Sequence, residues 1–224
     1  MSPTRFALYL SVVSASLISG CGGGSSSTPA PQQNLQSARA PAQPMDTAST
    51  TLTATDSSGN TWTVIYSSTT GEMAMFNGQN ANTSAIGLTI SENGTVVATE
   101  DSTAYYLVSP YSPLGLSGTT SGTAWSAIIT SYTPLPSTLT VGASGPLSSA
   151  TYYDGMMNMI GSLTETYTVT ANSPTSLFLN IDAAGSINGV QETETLTYSI
   201  ASDGTVQGLV QAQITVNGTT LTFH

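Results

Sequence analysis

The sequence predicts an all-β fold: a single antiparallel domain of about ten to twelve short strands, with a meander barrel favoured over a β-sandwich. Three observations carry this. Apolar and polar residues alternate with a period of two in run after run. Between the runs stand turn dipeptides, Asn93-Gly94, Asp203-Gly204 and Asn217-Gly218, with Ser58-Gly59-Asn60 similar; Asn-Gly and Asp-Gly readily take the positive φ angles of tight hairpins. No stretch of comparable length has helical periodicity. Hairpins this frequent pair each strand with its successor, which builds a meander and hence favours a barrel.

Taken in chain order, Trp62, Val64 and Tyr66 share one face, as do Ile86, Leu88 and Ile90, and then Leu177, Leu179 and Ile181. From Val206 to Val216, the residues Val206, Gly208, Val210, Ala212, Ile214 and Val216 fall opposite Gln207, Leu209, Gln211, Gln213 and Thr215, with a bend expected at Gly208. TETYTVTA at 164–171 echoes TETLTYSIA at 193–201, which reads as shared β composition rather than a repeat. Most runs fall short of the roughly 9 to 11 residues of a tilted membrane-spanning strand. The aromatics form no paired girdles, although Phe223 stands near the end.

The first residues are an address. Arg5 precedes an apolar run from Phe6 to Ile18, too short to cross a bilayer of about 30 Å, which is the pattern of an export signal. The run ends in Leu17-Ile18-Ser19-Gly20-Cys21, and Ile18, Ser19, Gly20 and Cys21 resemble in turn the positions of the lipobox of bacterial lipoproteins. The resemblance implies a diacylglycerol on the Cys21 thiol, cleavage of the signal peptide at residues 1–20, and acylation of the new amino terminus by a chain such as palmitate. Cys21 is the sole cysteine in the chain and has no partner for an internal disulfide. Several acyl chains on one residue make a durable membrane anchor. Gly22 is not the aspartate that marks inner-membrane retention in this class, so the resemblance implies the cell envelope, with the outer membrane favoured.

Residues 21–45 form the lipidated cysteine and a Gly/Ser/Pro/Ala tether too poor in apolar surface to offset its conformational entropy; a strand around Leu35 is the alternative within it. The all-β domain is assigned to 46–224.

Charge narrows the partners. The formal net charge is −10 and the two basic residues are Arg5 and Arg39, one in the signal and one in the tether. Nucleic acid and most phosphorylated ligands are excluded, because their binding depends on Lys and Arg. The membrane is reached through the lipid on Cys21, and a glycan or another envelope protein remains as partner. Mutual repulsion among the carboxylates is expected to raise their pKa values and to give tolerance of acid.

The chemistry-bearing residues are few. His224 is the one histidine and ends the chain, which argues against a histidine-based triad. No zinc site, EF-hand loop or other metal site is assigned, and no cofactor is implied. Glu100-Asp101 reads as a turn. Met156, Met157 and Met159 invite Cu(I), which thioethers suit, but packing or loop filling is preferred. The candidate catalytic carboxylates are Glu165, Glu192 and Glu194, on faces that continue into apolar residues. At a barrel mouth, desolvation would split their pKa values into an acid and a base for glycan hydrolysis. The candidate ligand-binding residues are Tyr105, Tyr106, Tyr111, Tyr152, Tyr153 and Asp154, since tyrosine rings offer flat surface with a polar edge. The expectation is a non-catalytic envelope binding module, with a carboxylate hydrolase or a small-ligand carrier barrel as alternatives.

Overall fold

Alternating Thr, Val, Ile and Tyr favour extended backbone, and strands dominate what forms. A computed structural model describes residues 35–39, 49–108, 110–216 and 218–224. Residues 1–20, read above as a signal peptide, Cys21 and most of the stretch read as a tether lie outside the described residues. The strands are β1 (Ser37–Arg39), β2 (Ser49–Thr55), β3 (Thr61–Thr70), β4 (Ala74–Phe76), β5 (Gln79–Glu92), β6 (Thr95–Val108), β7 (Tyr111–Thr120) and β8 (Thr123–Tyr132). They continue with β9 (Thr138–Thr140), β10 (Ser144–Asp154), β11 (Met159–Ser173), β12 (Ser176–Ile187), β13 (Val190–Ala201), β14 (Val206–Val216) and β15 (Thr219–Phe223). No helix occurs among the described residues.

One antiparallel sheet runs β15-β14-β13-β12-β11-β10-β8-β7-β6-β5-β3-β2, with β4 paired to β5 off this path. Every step joins strands consecutive in the chain or separated by β4 or β9 alone, so this is the predicted meander. Its two ends meet: Thr53 and His224 exchange backbone hydrogen bonds of 3.0 and 2.9 Å, which nearly closes the sheet into a barrel.

The inward set is predominantly apolar and includes Leu52, Trp62, Val64, Ile90, Leu147, Val169, Leu177, Leu179, Ile200 and Phe223, all buried, with a minority of buried Ser, Thr and Glu among them. The outward set is largely hydroxyl-bearing, such as Thr61, Thr63, Ser67 and Thr69 on β3 and Ser162, Thr164, Thr166, Thr168 and Thr170 on β11. Several strands are long enough to span a bilayer, β11 reaching 15 residues. Polarity is therefore the discriminating feature: a lipid-facing barrel is apolar outside, and this one has the opposite arrangement.

Because the strands alternate in direction, the turns fall into two rings. One ring holds the β3–β5 connection with β4, the β6–β7 turn, the long β8–β10 connection with β9, 173–176 and 201–206. There β1 pairs with β9, and Leu35 and Arg39 donate backbone hydrogen bonds to Ser173 (2.7 Å) and Ser202 (3.0 Å). Ala38 and Leu139 thereby enter the core. The ordered fold includes Ser37–Arg39, within the stretch read as tether, so Arg39 sits exposed at this end of the barrel.

The opposite ring holds 55–61, 92–95, 120–123, 154–159, 187–190 and 216–219. Asn93-Gly94 takes positive φ at both positions (50° and 80°), as expected of a type I′ turn, and so do Ser121-Gly122 and Asn188-Gly189. Asp203-Gly204, in the first ring, differs: Gly204 alone is positive, and the Asp203 carboxylate instead accepts the Thr205 N–H at 2.8 Å. β14 also departs from strict alternation. Its register against β13 shifts at Thr197/Tyr198 and Ser199/Ile200, so Leu209 packs toward the core while Val210 is exposed. Each bulge inserts one residue and reverses the face of those that follow.

Phe223 is fully buried in the strand that closes the barrel. Phe223→Ala is expected to cost about 3–5 kcal/mol of unfolding free energy, read as a lower denaturant midpoint with an unchanged slope.

Candidate functional site

The sheet register brings carboxylates together inside the barrel. Glu165 on β11 lies opposite Ala183 on β12, and Ala183 lies opposite Glu194 on β13. The two glutamates thus share a face two strands apart, their Cα atoms about 10 Å from each other across the sheet, with the Ala183 methyl group between them. One pleat further toward the 187–190 turn, Leu163, Gly185 and Glu192 form the next row. A Cβ on Gly185 would stand 2.1 Å from the Ser162 carbonyl oxygen and 2.7 Å from Leu163 Cδ2, so this close approach requires glycine. The echo between 164–171 and 193–201 therefore has a structural counterpart: its two Thr-Glu-Thr segments flank β12 symmetrically.

A fourth carboxylate joins from β6. Glu100 and Asp101 are not a turn but adjacent residues in mid-strand, Glu100 buried and Asp101 exposed. Glu100 accepts a hydrogen bond from Thr120 Oγ1 (2.8 Å), which in turn accepts one from Trp125 Nε1 (2.9 Å). The signal was present in the sequence, since Ala98, Glu100, Ser102, Ala104 and Tyr106 form one face at period two. Ser148 Oγ donates a short hydrogen bond to Glu165 Oε2. Both carboxylate oxygens of Glu192 are buried without a hydrogen-bond partner, in a residue 7% exposed. Glu194 lines a small interior pocket of about 20 Å³ with Leu52, Tyr66, Leu88 and Ile214, room for about one water molecule.

Burial raises all four acids. Glu100, Glu192 and Glu194 are each pushed up to about 8 and Glu165 to about 7, with desolvation the first cause in every case. Repulsion from Glu192, Glu165 and Glu100 adds to the rise at Glu194. Hydrogen bonds from Thr120 and Ser102 hold Glu100 down in part, and that from Ser148 does the same for Glu165. The predicted rise is thus present for these four, but it comes from loss of water before mutual repulsion. Asp56 moves the other way, lowered to about 2 by hydrogen bonds from Asn60 and Trp62.

The tyrosines do not assemble into one binding surface. Tyr106 and Tyr152 are buried. Tyr106, half-buried Tyr111 and Tyr132 make an aromatic chain with ring centroids 5.8 and 5.9 Å apart. Tyr152 packs 6.1 Å from Trp125, near all four glutamates, whose charges raise its phenol pKa beyond the effect of burial. Tyr105 points outward, stacked on Phe76 at 4.3 Å and hydrogen-bonded to Ser117 at 3.0 Å. Asp154 is committed to its own loop, accepting from Met156 N, Asn158 N and Asn158 Nδ2 at 2.8–2.9 Å. Met156, Met157 and Met159 are exposed rather than packed. Among the described residues, no three His, Cys, Asp or Glu side chains converge in a metal-binding arrangement.

Comparison with protein families, curated proteins and solved structures finds no match to this chain.

The four raised carboxyls fix the direction of pH dependence. Below about 4.5 they are protonated whether folded or not; between about 4.5 and 8 the unfolded chain releases protons that the fold retains, so stability falls as pH rises. The denaturant midpoint is expected to be higher at pH 5 than at pH 8.5. Glu192→Gln, which removes an unpartnered buried charge, should recover about 1–3 kcal/mol at the higher pH and leave pH 5 stability nearly unchanged.

Proposed function

We propose that this chain is a lipid-anchored protein of the bacterial cell envelope that serves as a non-catalytic binding module, held at the outer membrane through Cys21 and displayed on its tether. The observation that carries the reading is the polarity of the barrel: hydroxyl-rich outside and apolar inside, so it stands in water rather than in lipid and needs a separate anchor. The lipobox-like residues Ile18 to Cys21 supply that anchor. The chain enters the barrel at the ring of turns carrying β1, so the ring holding 55–61 and 154–159 is directed away from the tether. Glycans and other envelope proteins are the partner classes compatible with an acidic surface.

A carboxylate hydrolase built on Glu165, Glu192 and Glu194 draws support from their raised pKa values. Access weighs against it: Glu165 and Glu192 are buried, and the pocket beside Glu194 is far smaller than a sugar ring. The same small pocket weighs against a carrier whose cargo sits at Glu194.

Two measurements test the reading. Mass spectrometry of protein from its native host should find a mature chain starting at Cys21 and carrying acyl chains, and Cys21→Ser should shift the protein from the membrane to the soluble fraction. On a glycan array, binding without turnover is expected; hydrolysis that disappears in Glu194→Gln would replace the binding-module reading with the enzymatic one.

A further inference from the structure

All five methionines among the described residues, Met73, Met75, Met156, Met157 and Met159, are between 62% and 81% exposed. Methionine ordinarily fills cores, yet this core is built from Leu, Ile, Val, Ala and aromatic residues. Three of the five thioethers fall within four consecutive positions of one hairpin, Met156 and Met157 in its loop and Met159 at the start of β11.

That loop has a twin. Residues 56–60 (Asp-Ser-Ser-Gly-Asn) and 154–158 (Asp-Gly-Met-Met-Asn) share one hydrogen-bond plan in the same ring of turns. In each, the Asp N–H donates to the Asn carbonyl (3.0 and 2.9 Å) and the fourth residue's N–H donates back to the Asp carbonyl (both 3.0 Å). The Asp side chain accepts from the backbone N–H of the third and fifth residues in both. The fourth residue has positive φ: Gly59 at 84° and Met157 at 64°. Gly59 accepts this at no cost, whereas an L side chain is disfavoured. The other positive-φ residues with a side chain are Asn77, Asn93, Ser121 and Asn188, all polar. A methionine at this position worsens both backbone conformation and hydration, so folding does not account for it.

The surroundings set Met157 and Met159 on the same outer face of the wall. Ser126, Tyr153 and Met159 are successive cross-strand neighbours on β8, β10 and β11. Met157 Sδ lies 4.0 Å from Ser126 Oγ. Met157 and Met159 therefore flank Tyr153 on the outer wall, with Met156 at the loop tip.

We propose that residues 154–159 form a Cu(I) site whose ligands are the thioethers of Met156, Met157 and Met159. Thioethers are soft, neutral donors that select Cu(I) over Zn(II) and the hard divalent ions. The acidic chain adds favourable potential for a cation, and the loop's own carboxylate is tied to backbone amides, so the donors left for a metal are the three sulfurs, of which Met157 Sδ would give up a long hydrogen bond from Ser126 Oγ. Met73 and Met75, in the opposite ring, offer two thioethers and serve as the internal comparison.

The test is an anaerobic titration of the full mature chain with Cu(I), kept reduced by ascorbate and read by competition with a chromophoric Cu(I) chelator. One equivalent is expected to bind, Zn(II) should not displace it, and the M156L/M157L/M159L variant should weaken binding by at least roughly tenfold with an unchanged circular dichroism spectrum. M73L/M75L should bind as the parent does. Met157→Gly separates site from scaffold, since it should raise the melting temperature while lowering Cu(I) affinity. The proposal is overturned if the parent fails to compete with the chelator, if the triple variant keeps its affinity, or if M73L/M75L loses as much as the triple variant.

Discussion

The closure of the sheet at Thr53 and His224 is the constraint on which the rest of the structure depends. An open meander of this length would leave β2 and β15 as unpaired edges, each ready to recruit another chain. It would also leave the inward faces without an opposite wall. Nearly closed, the barrel separates two environments by side-chain parity, and the chain needs little else. Cys21, its sole cysteine, is reserved for the anchor in the proposed reading, and the one basic residue among the described residues, Arg39, sits exposed on β1, so stability comes from backbone ladders and apolar burial.

Closure also explains why the acids are unusual. Parity sends Glu100, Glu165, Glu192 and Glu194 inward with their apolar neighbours, and a nearly closed wall buries the first three and leaves Glu194 partly buried beside a small pocket. No lysine exists in the chain to neutralise them. The remaining ways to tolerate a buried carboxyl are to accept a hydroxyl hydrogen bond, as Glu100 does from Thr120 and Glu165 from Ser148, or to hold a proton. Glu192 has the second way alone. The molecule is consequently less negative near neutral pH than its formal charge of −10, because four of its twelve acids titrate near 7 to 8.

What was legible in the sequence was whatever obeys parity and local turn chemistry. Trp62, Val64 and Tyr66 all face inward as their spacing dictates, and Asn93-Gly94 makes the expected turn. What escaped depends on long-range register. The bulges that turn Leu209 in and Val210 out arise in the pairing of β14 with β13, and nothing in the string 206–216 announces them beyond Gly208. Glu100-Asp101 was misread because two adjacent acids resemble a solvated turn, although they face opposite ways in a strand. The tyrosines were grouped by proximity along the chain, whereas Tyr105 and Tyr106, or Tyr152 and Tyr153, necessarily point to opposite sides of the wall. Glu165 and Glu194 come together across β12, and the Thr-Glu-Thr echo, which reads in the sequence as mere β composition, acquires meaning only because β12 lies between its copies.

The twin loops carry this reasoning one step further, because they hold backbone geometry fixed while the side chains differ. Asp56 and Asp154 cap their loops in the same way, and the loop at 56–60 demonstrates that serine and glycine satisfy every demand of that geometry. The methionines at 156 and 157 therefore cannot be explained by the turn itself. Nor can they be explained by the core, which excludes methionine among the described residues. A residue that costs conformational energy, meets water and is unnecessary for its turn is kept for something outside the fold, and the property that separates methionine from the serine and glycine of the twin is its polarizable sulfur.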